Sequence, residues 1–406
     1  MGDRSWCSLT AALLLWGGGM SPACGRDSAR QPAVRSGAVR DAQPRAARPR
    51  PSGAEVSASE DAWRAAVDRL ASCRLASESI ERTCVAWAAL KKRLKLLRRS
   101  GDPALQKRAQ GWLVKLAKQR LGHERAPLRY WAAVTLRPAV HQEVGVLAAI
   151  FARARVEQEP TVLQALLYSV RSNWRKGPEY RALVLKMAAH EAAGVRREAV
   201  FGLGSMAGDR QALDLLIDRV HRDSDPGVRA AACKYAGEHG DERLLPVYSK
   251  YTADPGKDHG LYAACMFGLY ELWNPFHGRK RLSGRAFALM LRVLRRTPYS
   301  HVHPPWALID KLGRVPRLQL PAGKTRTPRW YRQAAVEQVL VGLVQAGTVH
   351  RFGRAGGIKA LGKLNAVKAL QGLDRLLGGR TDADSRYLRG MVKNQLARLT
   401  RVRPGE

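Results

Sequence analysis

The chain has 406 residues, room for one large domain or two ordinary ones, and its 45% apolar content, rich in Ala and Leu and poor in alternating Val/Ile runs, favours helices over sheets. Lys and Arg number 70 against 34 acids, a net charge of +36 that attracts nucleic acid, anionic lipid or acidic polymer, although an Ala/Arg/Gly/Leu-rich vocabulary also spreads Arg over merely solvated faces. The cysteines (Cys7, Cys24, Cys73, Cys84, Cys233 and Cys265) form no CxxC or Cys/His cluster, which excludes a zinc ribbon and a thioredoxin-type centre.

Residues 1–23 read as a signal peptide. Arg4 is followed by the apolar run Leu9 to Trp16 and then by Ser21-Pro22-Ala23, with small residues three and one before a cut. The apolar run falls far short of the roughly 20 residues that span a bilayer. Cys24 follows the cut, and this placement resembles the lipobox of bacterial lipoproteins, in which that Cys carries acyl chains. Ser21 and Pro22 depart from the preferred residues, and plain cleavage after Ala23 also fits. Residues 24–60 are Arg, Ala, Pro, Ser and Gly with little to bury, so a disordered tether is expected, reaching on the order of 30–35 Å. Its seven arginines, Arg26 to Arg50, suit an anionic surface or a simple solvated spacer.

Residues 61–99 form the first helical element. On one continuous helix Cys73 and Cys84 would stand about 16 Å apart, whereas a bridge needs Cα atoms within about 7 Å. The turn-prone stretch Arg74 to Ser79 permits a hairpin stapled by a Cys73–Cys84 disulfide.

Beyond residue 100 the chain repeats. Aliphatic residues recur at Leu128, Val162, Val195, Val228 and Leu261, in steps of 34, 33, 33 and 33. Four residues after each stands Ala132, Leu166, Ala199, Ala232 or Cys265, on the same helical face. Between these signatures lies a second helical pattern, as in 209–220, with one stripe at Ala212, Leu213, Leu216, Ile217 and Val220. Asp225-Pro226 supplies a helix start. Each repeat is therefore a helix pair that must stack on its neighbours to bury its apolar stripes. Cys233 and Cys265 fall on the buried face of successive repeats, where free core thiols are expected.

Asp225-Pro226-Gly227-Val228-Arg229-x-x-Ala232 and Ala193-Gly194-Val195-Arg196-x-x-Ala199 resemble the HEAT family, in particular its bacterial PBS-lyase-like branch. The resemblance covers residues 126–272, with weaker echoes from Asp102-Pro103 and to about residue 399. It implies an Arg–Asp ladder between repeats, carried by Arg196 and Arg229 and interrupted at Leu163 and Tyr262. It also implies that Val195, Arg196, Ala199, Asp225, Pro226, Val228, Arg229 and Ala232 are structural.

The pattern breaks between 273 and 335, where Arg and Lys interleave with aromatics. Trp273, Arg279, Lys280, Arg281, Tyr299, Trp306, Arg329, Trp330, Tyr331 and Arg332 are the binding candidates, for phosphate, sugar or acidic polymer. A long packed connection is the competing reading. His301 and His303 are two possible ligands with no third nearby in sequence, and two make no site, so no metal and no cofactor are expected. No nucleophile elbow, zincin motif or P-loop occurs.

The plan is thus a signal peptide at 1–23, a tether at 24–60, helical repeats at 61–272, an irregular insertion at 273–335, and C-terminal repeats with a cap at 336–406. The fold class is all-α, an α-solenoid of stacked antiparallel helix pairs. The function read from it is a non-enzymatic scaffold, exported to the periplasm or outer cell envelope and lipid-anchored, that binds a protein or an anionic envelope polymer. A nucleic-acid-binding or DNA-glycosylase-type protein is the alternative, disfavoured by export, and a bilin-lyase-like activity ranks last.

Overall fold

The computed structural model describes residues 59–75, 83–141, 143–171, 178–254, 256–274, 281–296, 306–347 and 349–401. The signal peptide, Cys24 and nearly all of the tether lie outside them, as do Arg279, Lys280, Tyr299, His301 and His303. The chain divides into two compact units, Met1–Asn173 and Trp174–Glu406.

The first unit contains α1 (Glu60–Asp68), α2 (Val85–Arg99), α3 (Pro103–Arg120), α4 (Ala126–Leu136), α5 (Val144–Val156) and α6 (Pro160–Val170). Ser59 caps α1, and Asp102 caps α3 by accepting from the Leu105 amide at 2.9 Å, with Pro103 in the first turn. Helix α1 packs on α2 and α3, α3 on α4, and α4 and α5 on α6. A disulfide joins Cys73, just past the end of the first helical segment, to Cys84, the N-cap of α2, with Cα atoms 5.5 Å apart.

The second unit contains α7 (Pro178–Met187), α8 (Ala193–Gly204), α9 (Arg210–Arg222), α10 (Pro226–Ala236), α11 (Leu245–Thr252), α12 (His259–Glu271), α13 (Gly284–Arg296), α14 (Trp306–Leu312), α15 (Gln333–Gln345), α16 (Arg351–Lys363), α17 (Val367–Gly378) and α18 (Ala383–Arg401). Short turns join α7 to α8, α9 to α10 and α11 to α12, and each pair packs together. The second helices form one row, α8 on α10 on α12. A further row runs α14 on α16 on α18, with α11, α13, α15 and α17 stacked behind. Within the insertion the sequence pattern predicts a helix at about 285–296, where α13 lies, and α13 and α14 continue the stacking there. Among the described residues a hairpin, β1 (Leu318–Gln319) and β2 (Thr325–Arg326), lies between α14 and α15.

The 33-residue register marks the buried seam. Val162, Val195 and Val228 are fully buried, Leu128 and Leu261 nearly so, and Ala132, Leu166, Ala199, Ala232 and Cys265 have no exposed surface. Small residues there let helices close up. A Cβ on Gly268 would lie 2.2 Å from the Cys233 carbonyl oxygen, and one on Gly237 would lie 2.1 Å from the Gly268 carbonyl oxygen. That approach of α10 to α12 corrects the reading of Cys233 and Cys265 as free thiols. Their Cα atoms are 5.0 Å apart and the sulfurs are bonded. Sequence spacing placed both on one face, but only the glycines' close packing set the distance between helices.

Arginine–carboxylate clamps lock the repeats. In α8, Arg196 donates from Nε and Nη2 to both Asp223 oxygens at 2.8 and 2.7 Å, and from Nη1 to the His190 and Glu191 carbonyls. Arg229 in α10 repeats the motif more loosely, with Nη2 3.5 Å from Asp258 and Nη1 on the Asp223 carbonyl. The first unit holds a third clamp that the ladder reading omitted, in which Arg129 meets both oxygens of Glu157 at 2.8 Å. Leu163 and Tyr262 occupy the arginine position as buried packing residues. Burial alone would push the Glu157 carboxyl up, but Arg129, Arg153 and the Glu159 amide bring it down to about 2. Asp223 is likewise lowered, since Arg196 and the Asp225 amide outweigh its burial.

Candidate binding surface

The residues between α12 and α15 separate into an aromatic core and a cationic exterior. Trp273 is fully buried, with its ring edge-on to Tyr270 at 4.8 Å and to Phe287 at 4.9 Å. Phe287 in turn meets Trp330 at 5.3 Å and Tyr331 at 5.6 Å. Trp330 lies against Gly284, where a Cβ would stand 2.6 Å from the indole Cγ. Tyr331 is buried, and burial pushes its hydroxyl up to about 12. The expectation that Trp273 and Tyr331 present ligand-binding faces is corrected accordingly. Both tie the post-α12 segment and the approach to α15 onto α13. An aromatic in a basic stretch reads alike from sequence whether it points in or out, and hydrophobic burial decides the matter here. Trp306 begins α14.

The cations point outward. Arg281, Arg329 and Arg332 are exposed, and Arg332 bonds only to backbone carbonyls, those of Arg329 and Tyr331. The hairpin adds Arg317, Lys324 and Arg326, all exposed. Its register sets Leu318 opposite Arg326 and Gln319 opposite Thr325, and the Leu320 amide donates to the Lys324 carbonyl at 2.7 Å. Side chains two apart along an extended segment share a face, so Lys324 and Arg326 project on the same side. The tip turns through Ala322 and Gly323, both at positive φ (64° and 72°). No Asp or Glu occurs between Asp310 and Glu337, while Lys311, Arg314, Arg317, Lys324, Arg326, Arg329 and Arg332 do. Sequence reading singled out Arg329 and Arg332 but placed them in an irregular insertion without a hairpin. The overlooked signal is Leu-Gln-Leu, a Pro-Ala-Gly turn, then Lys-Thr-Arg.

A separate cleft, of about 390 Å³, is lined by Asp209, Arg210, His239, Asp241 and Arg243. Arg181 hydrogen-bonds Asp209 and lowers its carboxyl; Asp241 is also lowered, because bonds from Arg243 outweigh its burial. General-acid work at neutral pH requires the opposite shift, so these carboxylates act as ion-pair partners. Among the described residues no group of three His, Cys, Asp or Glu side chains is placed to hold a metal, and no helix is long and apolar enough to cross a membrane.

Paired helices in register, clamped repeat to repeat and carrying a basic hairpin between them, define a helical-repeat protein. Residues 181–261 match the family model of HEAT repeats. Among solved structures the chain is similar to human deoxyhypusine hydroxylase (17% identity, TM-score 0.27, covering 65% of this chain and 99% of that one). It is also similar to Kap95p (14%, 0.37, covering 84% of this chain and 50% of that one) and to Kap121p (14%, 0.38, 83% and 40%). The chain thus spans half or less of the two Kap proteins. A search of curated proteins finds no match. At these identities the functions of those proteins do not transfer.

Proposed function

We propose that this protein is a HEAT-repeat scaffold for macromolecular interaction, exported and anchored at the cell envelope through an acylated Cys24, and that it carries out no reaction of its own. Its basic hairpin surface holds an anionic partner, a protein or an envelope polymer. The observation that carries the reading is the acid-free run from Arg317 to Arg332, set outward on a built hairpin between stacked helices. Cations concentrated on an exposed projection steer and retain polyanions. Support for a binding role over catalysis comes from carboxylates such as Glu157, Asp209 and Asp223, which arginines hold ionised. Support for export comes from residues 1–24 and from the two disulfides, which persist in oxidising compartments.

The test is capture from solubilised cell envelope by the full chain, beside a variant with Arg317, Lys324, Arg326, Arg329 and Arg332 changed to Ser. The expected result is a partner retained by the parent and lost by the variant, with retention falling steeply as salt rises. Equal capture by both refutes the surface. Preferential retention of nucleic acid over every envelope component would install the alternative reading. Fractionation of a Cys24→Ala variant tests the anchor, and a variant that stays wholly membrane-bound removes lipidation.

A further inference from the structure

Helices α14, α16 and α18 leave a groove of about 770 Å³ across their row, within the size range of clefts that enclose a ligand or a few side chains. Its floor is Ala307, Ala355 and Gly356, small enough to leave the space open. Five cations line it, Lys311, Arg314, Lys359, Lys363 and Arg398, against a single acid, Asp310. That acid is held by Lys363 at 2.6 Å. Several of the cations are fixed in place. Lys311 sits over the Tyr270 ring at 4.5 Å, and Arg398 donates to the Gly362 carbonyl at 3.1 Å. Positive charge is therefore presented without ordering side chains afresh on binding.

Charge alone would suit any polyanion, but the groove has a second feature. Phe352 and Tyr387 line it, each 48% exposed. Among the described residues five large hydrophobics are exposed, and two of the five line this groove. Exposed aromatics gathered at a concave site are the usual anchors of protein recognition. A phosphate or sulfate polymer offers them nothing to bury. A second copy of this chain, carrying +36, would oppose cation to cation at the groove.

We propose that this groove binds an acidic peptide segment of a partner protein, its carboxylates on Lys311, Arg314 and Lys359 and an apolar side chain lodged between Phe352 and Tyr387. The proposal rests on the scaffold reading for the existence of a partner, but it assigns a surface other than the hairpin.

The experiment is fluorescence anisotropy on the full chain with two labelled synthetic peptides of equal charge, one alternating Glu with Phe and Leu, the other alternating Glu with Gly. The Phe-containing peptide should bind about tenfold tighter, the scale of one buried aromatic anchor. A Phe352→Ser/Tyr387→Ser variant should erase that preference, and Arg314→Glu/Lys359→Glu should weaken both peptides by about tenfold or more. Circular dichroism and light scattering on each variant confirm that it stays helical and keeps its mass. Equal binding of the two peptides overturns the proposal, as does a folded aromatic variant that keeps the preference. Polyphosphate that displaces the Phe peptide as well at equal charge would make the site a polyanion groove. A change in mass on replacing the aromatics would make the occupant another copy of the chain. The Arg/Lys→Ser hairpin variant must retain the peptide preference, so loss of envelope capture there, with groove binding intact, separates the two surfaces.

Discussion

Replacing Arg196 by Met removes a fully bonded clamp while keeping most of the side-chain volume. Arg196 is 8% exposed, and the Asp223 side chain it holds has no exposed surface. The substitution deletes two charge-assisted bonds to Asp223 and strands the His190 and Glu191 carbonyls. Breaking a buried pair by removing one partner costs about 3–5 kcal/mol, and here the lower half applies because Arg219 and the Asp225 amide still reach Asp223. For a unit of this size that is a melting shift of roughly 6–16 °C. The assay is urea unfolding followed by circular dichroism, with hydrogen exchange read on α8 to α10 so that the second unit is followed by itself. The acid limb gives an independent check. Asp223 titrates below its unfolded value, so its stabilisation is complete above about pH 4 and is lost as pH falls through the depressed native value. In Arg196→Met that loss should shrink. A variant within about 0.5 kcal/mol of the parent, with an unchanged acid limb, would show that the clamp does not hold these repeats together.

Glu157→Gln should weaken the first unit, which in the parent keeps its stability down to about pH 4 and loses it as pH approaches about 2; local hydrogen exchange on α4 and α6 between pH 2 and 5 checks this. Cys233→Ser, or reduction of the parent, should lower the stability of the second unit by about 3–4 kcal/mol from the separation of 32 residues, measurable as a denaturant midpoint with and without reductant. No difference between oxidised and reduced protein would count against the bridge. Gly268→Ala should destabilise the same junction strongly, because the added carbon meets a backbone oxygen at 2.2 Å, whereas Gly390→Ala, with open space around it, should be neutral or slightly stabilising.

Much of this architecture was legible before any coordinates. The recurrence of an aliphatic residue with a small or apolar one four positions on determined that helix pairs stack, because a helix with one apolar stripe has no other way to remove it from water. The Asp-Pro starts determined where helices begin, since cap and ring act locally on the backbone. The arginine of the Arg196 and Arg229 clamps was visible for the same reason, as part of a fixed motif. Its carboxylate was not, because 27 or 28 residues separate the partners and only stacking brings Asp223 under Arg196 and Glu157 under Arg129. Packing likewise decided that Trp273 and Tyr331 turn inward while Arg281, Arg329 and Arg332 stay in water. It also brought Cys233 within bonding distance of Cys265. The groove is the clearest case. Lys311, Phe352, Lys359, Tyr387 and Arg398 come from three separate helices, and no spacing along the chain joins them. Periodicity reports which face of a helix is buried, but the distances between faces, and hence every site shared by several helices, belong to the folded packing alone.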